Sequence, residues 1–183
     1  ARAAATARGL AGALFLLVLA LGPRAAEATR YPPGPGGACP DSLLVYPIQN
    51  VAAPCHPAIN DSLYGVGGIV TGFDQIPTGF GFYLQNNAIA QEFTGILVFT
   101  GATNFVASLG LALGDSVVVY GKTTEFQGGS EILAFNGSSS SPDIIIRKVS
   151  SGNHVPDFHV GTVAELYELP SNPNAEKYEG TLV

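Results

Sequence analysis

Residues 64–86 read YGVGGIVTGFDQIPTGFGFYLQN. Short runs of β-branched and aromatic residues are cut by Gly, Pro and Asp, the pattern of antiparallel strands joined by turns. Within FGFYLQ, Phe80, Phe82 and Leu84 fall on one side of an extended chain, and Gly81, Tyr83 and Gln85 on the other. The first set belongs to a core and leaves Tyr83 outside it or at its edge. The glycines at 65, 67, 68 and 72 leave the preceding strand free to bend, as a small closed sheet requires.

The same grammar continues on the C-terminal side. TGILVFTG (94–101) reads as a third strand, LALGDSVVVYGKTTEF (111–126) as a turn and a long fourth strand, and EILAFNG (131–137) as a fifth. Gly114-Asp115 marks the turn before the fourth strand. NGSSSSP (136–142) is a loop, and DIIIRKV (143–149) is expected to close the barrel. The fold class is therefore all-β: a five-stranded OB-like barrel over residues 63–150, read as a meander with a closing strand.

The flanks differ from this centre. Residues 1–28 carry Arg2 and Arg8 ahead of an apolar run from Leu10 to Leu21, then Ala26-Glu27-Ala28, which is the pattern of a secretory signal peptide. That run is short of the ~20 apolar residues that span a bilayer, so no stable membrane insertion is expected after cleavage and the protein is expected outside the cell. Residues 29–62 form a Pro- and Gly-rich linker and lead-in, in which LLVYPIQ (43–49) is expected to be a strand or extended segment docked on the barrel. Residues 151–183 read as a linker and then the truncated start of a second, similar module, because Tyr178-Glu179-Gly180-Thr181-Leu182-Val183 resembles the first strand with an aromatic in front.

Charge restricts the partners. Of eight basic residues three lie in 1–28, and of fourteen acidic ones only Glu27 does, so residues 29–183 carry a formal charge of −8. A protein that grips nucleic acid by its phosphates needs a basic stripe, and none is evident. The two cysteines, Cys39 and Cys55, both lie in the lead-in. In an exported protein such a pair is expected to form a disulfide, worth ~3 kcal/mol by chain entropy. A lipid-modified Cys39 is the alternative, although GGAC lacks the expected aliphatic residue and lies far from the apolar run.

The ordered motifs GxVT (68–71), GFYLQ (81–85), GIxVFTG (95–101) and LGDxVxVxGxxxEFxGxxE (113–131), followed by EKYEGTLV (176–183), resemble the OB-fold-like modules of secreted bacterial nucleases and endonuclease/exonuclease/phosphatase-associated proteins. The resemblance covers about residues 43–183. It implies a non-catalytic accessory domain that precedes a catalytic nuclease or phosphodiesterase domain on the same polypeptide. The cysteine pair and the Ser-rich loop depart from that pattern.

An OB barrel takes ligands on the outer face of its second and third strands and in adjoining loops. Tyr83, Gln85, Asn86, Phe99 and Tyr120 are the candidate ligand-binding residues, with Asn87 as a further polar partner and single-stranded nucleic acid or a glycan as the ligand. Aromatics in these positions could equally fill the core or its rim. His154, Asp157 and His159 are metal-ligand types, but Pro156 interrupts them and no fourth ligand is obvious, so a solvated loop is the simpler reading. Glu125 and Glu131 flank a Gly-rich turn and are expected to hold a hairpin and face solvent. No nucleophile elbow, phosphate-binding Gly loop or HExxH pair is present, so no enzyme activity, cofactor or metal is expected of this chain. The competing function is a structural, adhesive or carbohydrate-binding β-module.

Overall fold

The computed structural model describes residues 44–76, 79–86, 92–136, 143–166 and 175–183. The expected signal peptide, Cys39, Asn87 and most of the Ser-rich loop lie outside these residues.

Among the described residues six strands form one mixed sheet: β1 (Ser62–Ile76), β2 (Gly79–Gln85), β3 (Gly95–Gly101), β4 (Ser116–Phe126), β5 (Gly129–Leu133) and β6 (Ile145–Ser150). The length of β1 explains how the sheet turns back on itself. Its first half pairs antiparallel with β4, from Ser62 opposite Lys122 to Ile69 opposite Ser116. Its second half pairs antiparallel with β2, from Ile69 opposite Gln85 to Ile76 opposite Gly79. Ile69 thus has a register partner on both edges. A bulge between Tyr64 and Val66, where Gly65 has a φ of 82°, adds the local twist that a strand serving two partners needs.

Hydrogen bonds ring through five strands in the order β1-β2-β3-β5-β4 and back to β1. This is not the meander read from the sequence. The two-residue turn Gln127-Gly128, with φ of 56° and 90°, folds β5 back onto β4. That hairpin brings β5 beside β3 in the parallel sense, with Leu97 opposite Glu131 and Val98 opposite Ile132. The β3–β5 pairing therefore completes the ring. The 143–149 stretch does not: β6 adds to β4 outside it, from Tyr120 opposite Ile145 to Ser116 opposite Ser150.

Alternate residues of the ringed strands fill one core. Val66, Val70, Phe82, Leu84, Ile96, Val98, Val117, Val119 and Ile132 are fully buried, and Val106, Ile144 and Ile146 join their cluster. Val106 comes from α2 (Phe105–Ser108), a single turn between β3 and β4 whose Asn104 side chain accepts the Ala107 N–H at 2.9 Å.

The lead-in is corrected. Residues 45–49 form a short helix, α1 (Val45–Gln49), rather than a strand. Pro47 falls in its first turn, where no intrahelical N–H is needed, so the proline is compatible with the helix. Val45 and Ile48 are buried in the core cluster while Tyr46 is exposed. The reading of Glu131 as solvent-facing is also corrected. Glu125 is exposed, but Glu131 is buried where β5 lies between β3 and β4. Among the described residues no helix is long and apolar enough to cross a membrane.

Candidate functional site: the outer face of β2 and β3

The register sets Tyr83 opposite Leu97, Gly81 opposite Phe99 and Gln85 opposite Gly95. Because Phe82, Leu84, Ile96 and Val98 point into the core, these six residues form the outer face of the β2–β3 pair. Tyr83, Gln85 and Phe99 are brought together there. Tyr120 is not: it lies on β4, nearly buried, between β1 and β6, with the Arg147 guanidinium 5.4 Å from its ring centre. Asn86 follows Gln85 and is half-buried.

The parity is as read for Phe82 and Leu84 against Tyr83 and Gln85, but Phe80, next to a register shift, is only half-buried and lies outside the core cluster, and the exposure of Gln85 is not as read. Gln85 has no accessible surface at all. What covers it is the chain's own segment 177–183. The Leu182 N–H donates to Gln85 Oε1 at 3.1 Å, the Phe93 N–H donates to the Lys177 carbonyl at 2.5 Å, and the Ser130 N–H donates to Glu179 Oε2 at 3.1 Å. Gly180 rests on Gly95 so closely that a Cβ on Gly95 would overlap the Gly180 carbonyl. Lys177 Nζ reaches Glu92 Oε1 at 3.1 Å at the exposed end of the contact. On the far side of the segment, the His159 ring stacks on Tyr178 with centroids 4.1 Å apart, and the His159 N–H donates to the Leu182 carbonyl.

Residues 178–183, expected to open a second module's strand, form no ladder in this structure. A 3-10 turn (Ala175–Tyr178) leads into them, and Gly180 takes a φ of 64°. A cavity of about 340 Å³ remains beside them, lined by Thr71, Gly72 and Tyr83 from the sheet and by Tyr178 and residues 180–183 from the segment.

The seam is polar and incompletely satisfied. Among the described residues, Gln85 Nε2, Asn86 Nδ2, His159 Nε2 and Thr181 Oγ1 are buried without a hydrogen-bond partner. A buried polar group left in this state costs about 1–3 kcal/mol. The surroundings are also acidic. Burial raises the Tyr83 phenol above its ordinary range, and the carboxylates of Asp74 and Glu179 raise it further. Burial and Asp74 together push Glu131 upward as well.

The remaining candidates sit elsewhere. His154 and Asp157 are exposed and 3.8 Å apart, while His159 is held in its stack on Tyr178. Among the described residues no group of three or more His, Cys, Asp or Glu is placed to hold a metal ion. Cys55 is half-buried and disulfide-bonded, and its expected partner Cys39 lies outside the described residues. Sequence reasoning missed Gly95, Gly180, Thr181 and Leu182 as members of this site. The signal that could have found them, a glycine in each of two segments that must touch, has no local pattern.

Neither a scan against protein-family models nor a search of curated proteins finds a match to this chain.

Proposed function

We propose that residues 62–150 form an OB-type barrel acting as a secreted, non-catalytic accessory module, whose task is to hold adjoining polypeptide in place. The strand order 1-2-3-5-4 closing on 1, with β3 and β5 parallel and a helical turn between β3 and β4, supports the OB reading. The observation that carries the function is the seating of residues 177–183 over Gln85 and Gly95, on the face where such barrels take ligands. A module that grips its own flanking segment fixes the direction in which the neighbouring chain leaves. The motif resemblance makes an extracellular nuclease or phosphodiesterase domain the candidate for what is positioned.

Electrostatics argue against tight nucleic-acid binding on this face. Asp74 and Glu179 act on Tyr83, and residues 29–183 carry a formal charge of −8, so approaching phosphates meet repulsion rather than counterion release. One observation favours a second reading as a carbohydrate-binding or adhesive β-module: the cavity between Tyr83 and Tyr178 is lined by aromatic rings and by Thr71 and Thr181, which suit a neutral sugar better than an anion.

Fluorescent single-stranded DNA and a panel of neutral oligosaccharides, titrated into the chain at low salt beside Tyr83→Ala, test both readings. The accessory reading expects no saturable DNA binding. Saturable DNA binding that weakens with salt and is lost in Tyr83→Ala would overturn it, and saturable sugar binding lost in the same variant would establish the second reading.

A further inference from the structure

We infer that the outer face of β2–β3 is a peptide groove that recognises a turn carrying Glu-Gly with a free backbone N–H two residues past the glycine, and that residues 177–183 of a second copy of this chain can take it. The inference rests on the accessory reading and names the partner chemistry of the same face.

Three features define the specificity. The position facing Gly95 admits only glycine, since a Cβ on Gly180 would lie 2.8 Å from the Ile96 nitrogen and its φ of 64° disfavours any branched residue. Two positions on, a backbone N–H is required, because it supplies the bond to Gln85 Oε1. On the preceding side a carboxylate is read by the Ser130 N–H. A second copy presents the same residues and can make the same contacts.

Two observations point to an occupant that is held in place but can be exchanged. Gln85, fully buried, keeps Nε2 without a partner under the segment, and the Thr181 hydroxyl is likewise buried and unpaired. The contact is also built from single hydrogen bonds at separate points, with no strand ladder among residues 177–183. What favours the chain's own copy is its tethering, which holds it at a millimolar-scale effective concentration that no new contact provides.

The test uses the full chain and a labelled synthetic peptide with the sequence of residues 177–183, KYEGTLV. Gly180→Val should expel the chain's own segment and leave the groove intact. Folding is checked by circular dichroism and a cooperative thermal transition. The peptide is expected to bind Gly180→Val saturably and at least ten-fold more tightly than the unmodified chain. Binding should disappear when Gly95→Val is added, or when the peptide carries valine in place of its glycine. Leu182→Pro, which removes the N–H donated to Gln85 and restricts the backbone at Thr181, serves as a second way to free the groove. Absence of saturable peptide binding in a folded variant, or equal binding after Gly95→Val, overturns the inference. The oligonucleotide titration reads a different ligand, so its failure and failure here are distinguishable.

Discussion

Gly95 and Gly180, far apart in the sequence, meet backbone to backbone, and neither has room for a side chain. The contact seats the C-terminal segment on the sheet without involving the core beneath. Gly95→Ala is therefore expected to lift residues 177–183 while the ring of strands stays folded. Overpacking of this kind costs about 1–3 kcal/mol. Hydrogen exchange should show the Leu182 amide losing protection while the amides of β2 and β4 keep theirs. Loss of protection throughout the sheet would contradict this placement of the strain.

Asp115 and Lys148 tie the turn before β4 to β6. The Lys148 Nζ lies 2.7 Å from the Asp115 carboxylate and also donates to the Gly110 carbonyl, while the Ala112 N–H donates to the same carboxylate. The lysine first and the amide second hold the Asp115 carboxyl down to about 2. An ordinary aspartate in the unfolded chain titrates near ~3.9. The folded value is the lower one, so this contribution is present above about pH 4 and is lost as the pH falls towards 2. Thermal unfolding across pH 5 to 2 should show a steeper acid loss in the unmodified chain than in Asp115→Asn, which should be less stable near neutral pH.

Glu131 has the opposite sign. Burial and the Asp74 carboxylate raise its pKa, so the fold favours the protonated form. Its contribution is full below the unfolded value of ~4.3 and is lost as the pH rises through the folded one. Glu131→Gln is expected to raise the melting temperature at pH 7 and to lose that advantage as the pH approaches 4. An unchanged melting temperature at pH 7 would show that the ionised carboxylate is not strained there.

Phe82 and Phe126 are both strand phenylalanines with opposite fates. Phe82 is fully buried and Phe126, at the β4–β5 hairpin, is 65% exposed. Phe82→Ala should cost about 3–5 kcal/mol through lost transfer energy and a residual cavity. Phe126→Ala should stay within about 0.5 kcal/mol. Urea unfolding of the two variants measures the contrast.

Much of the strand pattern was legible because alternation is local. Phe82 and Leu84 against Tyr83, and the turn at Gly114-Asp115, follow from residues within a few positions of one another. The helix at Val45–Gln49 was hidden because LLVYPIQ is rich in strand formers, and its one helical turn is stabilised by docking Val45 and Ile48 into the core. Gln85 was assigned to the correct face and the wrong environment. Parity tells which side a residue takes, and says nothing of what later covers that side.

By itself the sequence determined where the strands between residues 62 and 150 run, that Phe82 and Leu84 enter the core, and that residues 29–183 are acidic. The tertiary structure alone decided that β5 passes between β3 and β4, that β6 stays outside the ring, and that the candidate ligand face holds polypeptide. The physical reason is range. Side-chain alternation and turn chemistry act between near neighbours, whereas the pairing of strand edges and the approach of Gly180 to Gly95 depend on the path of the chain between them, which local residue patterns do not specify.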